Sequence, residues 1–292
     1  MPSRRKRPAP SRLGWAFFLL FVLVTVLATL WVLRPLKERE KPLPPGPEVK
    51  PLRTAPKAFR ETPAPMACII IDDMGQNPRL ERRFFALGLC LNFSFLPQGR
   101  FTKRLATEAH ARGFEVLVHL PLQAERKRDA SAFISLQMGE AEVKKRVKRA
   151  VAAVPYAIGI NHHMGSAFSA DPKHMRWVLE ETKALGLIYV DSRTTPKTVV
   201  PQVARSLGLP FAERRVFLDH FEGYEAVCRA LERFIVRAKR RGPTLAIGHP
   251  HPATLRALIK YRLRLQKEVR LVPVSVFVRK VNGYDKTLSQ KF

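Results

Sequence analysis

Short apolar runs recur along this chain at near-regular intervals, separated by longer stretches whose apolar positions repeat every three or four residues. The runs fall near 67–71, 91–96, 114–119, 157–160, 187–191, 215–218, 244–248 and 271–277. Each is rich in Ile, Val, Leu or Phe and bounded by polar, Gly or Pro residues, as strands buried on both faces are. Helical periodicity occupies 79–88, 101–112, 140–153, 172–185, 200–207, 222–241 and 252–267. Local punctuation agrees with that reading. Asp171 before Pro172 is an N-cap followed by a first-turn proline. Gly186 and Gly242 fall where helices should stop. Glu140 and Lys144, and Glu142 and Arg146, are spaced to support a solvated helical face. Strands alternating with helices predict an α/β domain with a parallel sheet, either a barrel or doubly wound. In both, the side chains that act on ligands gather at the carboxyl ends of the strands.

The first 65 residues do not follow this pattern. Leu13 to Leu33 is a stretch of 21 residues without a charge, long enough to span a bilayer. Arg4, Arg5, Lys6, Arg7 and Arg12 precede it and place that end in the cytoplasm. No small-x-small cleavage site follows, so residues 13–33 read as an uncleaved signal anchor after a basic tail, 1–12. Residues 34–65 hold nine prolines and mixed charges, the composition of an extended spacer. The expectation is a single-pass protein of the inner membrane. Its domain, 66–292, is large enough for a sizeable core and stands on the extracytoplasmic, periplasmic side.

That domain carries 39 Lys and Arg against 20 Asp and Glu, a net charge of +19. Such a balance suits an anionic partner, and outside the cytoplasm an acidic envelope polymer or lipid headgroups fit better than nucleic acid. General solubility accounts for the charge equally well. The three cysteines, Cys68, Cys90 and Cys228, have no metal-ligand spacing and dictate no disulfide.

The chemistry sits at the strand ends. The first strand ends in adjacent carboxylates, Asp72 and Asp73, the third at His119. The fourth is followed by Asn161, His162 and His163, the fifth by Asp191, Ser192 and Arg193. The sixth ends at Asp219 and His220, the seventh at Gly248, His249, Pro250 and His251. Six of the eight histidines lie at such ends, while His110 and His174 fall in helical patterns. Adjacent carboxylates repel unless a cation or proton lies between them, which makes Asp72 and Asp73 candidates for a metal ligand and a base. One Asp and two His from separate strands form a facial site for Zn²⁺, which acidifies a bound water. A second Asp can accept a proton and a His from the far side can donate one, the requirements for amide or ester hydrolysis. Plainer readings stand beside these. The Asp pair can be an Asx turn capping the next helix. His119 can be a satisfied core residue, His249 can shape its turn, and Asp219 can pair with His220 at the surface. Strand alternation lets only one of His162 and His163 face the site. Ser166 and Ser192 lie near histidines, but neither sits in a Gly-x-Ser-x-Gly elbow.

Ile69-Ile70-Ile71-Asp72-Asp73-Met74-Gly75, His119-Leu120-Pro121-Leu122 and Gly159-Ile160-Asn161-His162-His163-Met164-Gly165-Ser166 together form a familiar series. Tyr189-Val190-Asp191-Ser192-Arg193-Thr194 and Ile247-Gly248-His249-Pro250-His251-Pro252 complete it. In that order these segments resemble the divergent polysaccharide deacetylase family, relatives of the NodB-type carbohydrate esterases, over residues 66–278. The resemblance implies an irregular (β/α) barrel that removes acetyl groups from N-acetylated sugars with a divalent metal, Zn²⁺ being the expected one. It makes Asp72 the base, Asp73 and His119 metal ligands, and His249 the acid. Where ordinary deacetylases carry a second metal His, four residues after the first, this chain has Gln123, so His163 is taken as the third ligand. Asn161, Asp191 and Arg193 are the expected substrate contacts. The implied activity is deacetylation of an envelope glycan. A glycan-binding scaffold that kept the fold but not the activity is the alternative, and a hydrolase of another ester or amide a third reading.

Overall fold

The computed structural model describes residues 64–126 and 133–283. Nine strands are present among them: β1 (Met66–Met74), β2 (Asn92–Phe95), β3 (Glu115–Leu122), β4 (Ala157–Met164), β5 (Ile188–Asp191), β6 (Phe211–Glu213), β7 (Val216–Phe217), β8 (Thr244–Gly248) and β9 (Arg270–Leu271). The helices are α1 (Pro78–Phe85), α2 (Thr102–Ala111), α3 (Glu140–Ala153), α4 (Pro172–Ala184), α5 (Val200–Leu207), α6 (Tyr224–Arg241), α7 (Pro252–Glu268) and α8 (Val274–Val281). The expected membrane anchor and spacer lie outside the described residues. Among the described residues no helix is long and apolar enough to cross a membrane.

The strand order is β6-β5-β4-β3-β2-β1-β8-β7, with β9 added to β1. Every pairing is parallel. β6 and β7 stand at opposite ends of that order, yet only Arg214 and Arg215 separate them in sequence. Three Cα–Cα steps reach at most about 11 Å, so the two edges must lie side by side and the sheet must curl. Backbone hydrogen bonds make the handover. Arg214 N donates to Asp191 O of β5 at 2.9 Å, and Arg215 N donates to Leu245 O of β8 at 2.8 Å. One extended segment therefore bridges the two edges of a curled, parallel half-barrel, where the sequence predicts a single strand at 215–218.

Strands buried on both faces explain the unbroken apolar runs. Along β1, Ile69 and Ile71 pack outward into the large core beneath the helices. Cys68 and Ile70 alternate with them into a smaller core, with Leu117, Val190, Ala212, Leu245 and Ile247. That second core is the barrel interior. Val274, Phe277 and Val278 of α8 pack into the same core.

The last segment corrects an expectation. Residues 271–277 read as a strand, but only Arg270 and Leu271 pair, and α8 follows Pro273. Val272, Val274, Val276 and Val278 alternate, while Val274, Phe277 and Val278 have helical spacing, so the local pattern fits both periods. Buried Asn92 decides it: its Oδ1 accepts from Val274 N at 2.8 Å while its Nδ2 donates to Ile69 O at 3.0 Å. Glu115 Oε2 accepts from Ser275 N at 2.8 Å. Together these side chains satisfy backbone groups of the first turn that a helix leaves unpaired.

Candidate active site

The carboxyl ends of β1, β3, β4 and β8 converge on a pocket of about 220 Å³ walled by Asp72, His119, His163, Arg214, Phe217 and His249, among others. Period-two alternation from Cys68 and Ile70 points Asp72 inward and would send Asp73 away. Asp73 instead has φ 55, and the β1–β2 register is irregular between Ile71 and Met74. This left-handed residue is costly for a side chain with a Cβ, and such residues concentrate at functional sites. It turns the second carboxylate back toward the first. The loop beyond is held by Glu81, fully buried, whose carboxylate accepts from Gly75 N, Gln76 N and Asn77 N. Gly75 permits the turn: at φ 103 a Cβ there would lie 2.1 Å from Thr102 Oγ1. Asn77, not either aspartate, caps α1 by accepting from Leu80 N, so the capping reading of the Asp pair falls away.

Asp73 Oδ1 lies 3.2 Å from His119 Nε2 and 2.9 Å from His163 Nδ1. Among the described residues this buried oxygen nevertheless accepts no hydrogen bond. The ligand atoms of the three residues lie within 4.8 Å of one another. A carboxylate oxygen facing two imidazole nitrogens without a hydrogen bond fits a divalent cation of the zinc class. The donor set and the orphaned oxygen therefore suit the group. Burial would raise the Asp73 pKa, but His119 and His163 outweigh it and hold this carboxylate ionised.

Behind this cluster runs a buried hydrogen-bond chain. Asn161 Nδ2 donates to Asp72 Oδ1 at 2.7 Å, which turns Oδ1 of the amide toward His119. That oxygen accepts from Ser94 Oγ at 2.5 Å and from His119 Nδ1 at 2.9 Å. With its proton on Nδ1, His119 presents the Nε2 lone pair toward Asp73, the way metal-binding histidines are commonly oriented. Burial pushes the Asp72 pKa up, against the lowering influence of His119 and His249.

His249 approaches from the opposite wall, its Nε2 3.9 Å from Asp73 Oδ2. Asp219 grips it twice, accepting from His249 N at 2.6 Å and from Nδ1 at 2.9 Å, and Thr254 Oγ1 donates to the same carboxylate at 2.8 Å. Burial alone would lower the His249 pKa. The hydrogen bond and charge of Asp219 raise it to about 9, with further help from Asp72 and Asp73. Asp219 therefore serves His249 and not, as one reading had it, His220 at the surface.

The structure brings Asp72, Asp73, His119, His163 and His249 together. His162 also lines the pocket but stands outside the Asp73, His119 and His163 cluster; it is buried with Nδ1 3.0 Å from Tyr189 Oη, and burial drops its pKa to about 3. Three expected substrate contacts are placed differently. Asn161 is wholly buried with both amide atoms engaged. Asp191 is equally buried, accepting from Arg193 N and Thr198 Oγ1, and its pKa is pushed up by burial to about 6. Arg193 pairs with Glu213. Ser192 and Thr194 of the same loop line the pocket instead. Gln123 turns to the neighbouring loop, where Oε1 accepts from Leu136 N at 2.8 Å. Ser166 Oγ accepts from Glu125 N, and Ser192 Oγ has no partner among the described residues, so neither is paired with a histidine base.

Two contributors escape the sequence reading. Arg214 enters the pocket, donating to Ser192 O at 2.6 Å and Arg193 O at 2.7 Å, with its guanidinium 4.4 Å from the Phe217 ring centre. Its two-residue spacing from interior Ala212 was the available signal. Ser94, at the end of β2, carried none.

Residues 69–278 match the family model described as divergent polysaccharide deacetylase. The chain belongs to the divergent polysaccharide deacetylase family. An uncharacterized protein of Escherichia coli (strain K12), YibQ, is 35% identical over 208 residues, which cover 71% of this chain and 65% of YibQ. The match thus spans less than two thirds of that relative's length. An uncharacterized protein of Haemophilus influenzae is 32% identical over 70% of this chain and 73% of its own. The crystal structure of the uncharacterized protein ATU2773 from Agrobacterium tumefaciens C58 superposes with a TM-score of 0.69 at 18% identity. That likeness covers 75% of this chain and 91% of the other, and it establishes the shared fold of this family member.

Proposed function

We propose that this deacetylase-family domain hydrolyses N-acetyl groups of an envelope glycan, using a divalent cation held by Asp73, His119 and His163. The carrying observation is the buried Asp73 Oδ1, orphaned between two imidazole nitrogens and flanked by a carboxylate and a histidine on opposite sides. When bound there, a cation would polarise the acetyl carbonyl and make an attacking water more acidic. Asp72 takes the proton of that water, with Asn161 holding its carboxylate in place. As the C–N bond breaks, His249 gives its Nε2 proton to the departing nitrogen, and acetate and a free amine leave. Asp219 keeps the His249 ring oriented and stabilises its charged form.

The test is acetate release from N-acetylated glycans, peptidoglycan fragments included, by the purified chain before and after chelation. Release that stops on chelation and returns with Zn²⁺ is the expected outcome. A chain that binds glycan but frees no acetate from any of them would instead favour the scaffold reading.

We also propose that 1–12 are cytoplasmic, that 13–33 anchor the chain in the inner membrane and that 34–65 hold the domain on the outer side of it. The 21 uncharged residues and their basic flank support this. Protease added outside intact inner membranes should cut the linker and release the domain. Protection until the membranes are opened would reverse the orientation.

A further inference from the structure

Arg214 and Phe217 form part of the catalytic pocket wall and also line a second cleft of about 520 Å³. Arg215, Arg233, Arg237 and Phe221 are among its other walls, and among the described residues no acidic one lines it. Arg215 is paired with Glu213. Arg233 and Arg237 have no ion-pair or hydrogen-bond partner among the described residues, and the Nε of Arg237 is buried without one. On α6, Arg233 and Arg237 are four residues apart and therefore neighbours on the helix surface that lines the cleft. Like charges at that spacing repel. Such an arrangement is stabilised when an anion lies along it.

An aromatic path joins this cleft to the acid. The ring of His249 lies 5.4 Å from Phe217, Phe217 lies 5.6 Å from His220, and His220 lies 4.7 Å from Phe221. Phe221 is 69% exposed. Large flat side chains with mixed polar partners suit an amphipathic chain such as a glycan better than a lipid headgroup. Guanidinium groups suit carboxylates and phosphates, which they can bind in two-point fashion.

We infer that the Arg233–Arg237 cleft is a binding subsite for an anionic substituent, carboxylate or phosphate, on the sugar next to the one being deacetylated, making the substrate an acidic glycan. This rests on the proposed deacetylase reading for its register, and not for its binding test. The probes are an oligosaccharide alternating uronate and N-acetylhexosamine units, the same oligosaccharide with its carboxyls reduced, and an N-acetylhexosamine oligomer bearing phosphate. Calorimetric titration of the full chain at low salt should show one anionic probe bound at least about tenfold more tightly than the reduced one. Arg233→Gln with Arg237→Gln should abolish that gain and leave affinity for the reduced probe unchanged. Arg233 is exposed, so Arg233→Gln alone carries the test if the double variant melts early. Equal binding of all three probes by the wild type would overturn the inference, as would a preference retained in the variant. Binding to anionic phospholipid vesicles that the variant loses, with no preference among the glycans, would also overturn it in favour of a membrane surface. A preference without acetate release would remove the deacetylase reading and keep the cleft. Acetate release without a preference would do the reverse.

Discussion

Asp72→Asn is expected to fold, to retain a divalent cation and to lose about 10²–10⁴-fold of the turnover, the range over which general acid–base groups act. The amide replaces a carboxylate of equal size that already accepts from Asn161 Nδ2, so packing is conserved while the proton acceptor is lost. His249→Ala should lose turnover on the same scale. The pH profile separates the two roles. A base must be ionised, and burial raises the Asp72 pKa, so the acid limb should lie above the ordinary carboxylate range. An acid must be protonated, and His249 holds its proton up to about 9, so activity should fall as pH rises through that value. Asp219→Asn removes the main raising influence and should move the alkaline limb downward while leaving the acid limb in place. Acetate release measured from pH 4 to 10 with each variant decides this. Full activity in Asp72→Asn, or an alkaline limb unmoved in Asp219→Asn, would refute the corresponding role.

His163→Ala is expected to lose the proposed divalent cation, whereas His162→Ala should bind it as the wild type does. The nitrogen of His163 lies 2.9 Å from the orphaned Asp73 Oδ1, while His162 points its Nδ1 at Tyr189 Oη. Loss of one of three protein ligands should weaken binding beyond the about 10- to 100-fold typical of an outer-shell partner. Elemental analysis of both purified variants reads the result directly. Metal lost from His162→Ala and retained by His163→Ala would exchange the two roles. Full occupancy in both would place the cation elsewhere. Asn161→Ala is the intermediate case, because His119 and Asp72 would each lose a hydrogen-bond partner while all three ligands remain.

Most of the fold was legible in the sequence because a parallel strand buried on both faces leaves an unmistakable apolar run. Runs at 67–71, 114–119 and 244–248 became β1, β3 and β8, and the polar residues just past them became pocket walls. Chemistry at strand ends is a short-range signal: residue type and position in the run suffice to nominate Asp72, Asp73, His119 and His249. Which residues then meet depends on geometry that no local period encodes. The left-handed turn at Asp73, which overrides alternation, depends on a bulge against β2 and a loop tied by Glu81. Asp219 found His249 because β7 pairs with β8, and Arg214 lies in a link of only two residues between opposite sheet edges. The alternating valines of 272–278 became a helix because Asn92 and Glu115, distant in sequence, satisfied its first turn. Periodicity thus determined the elements and the list of reactive residues. Strand pairing and the curl of the sheet, which bring together groups far apart along the chain, decided which of them face one another.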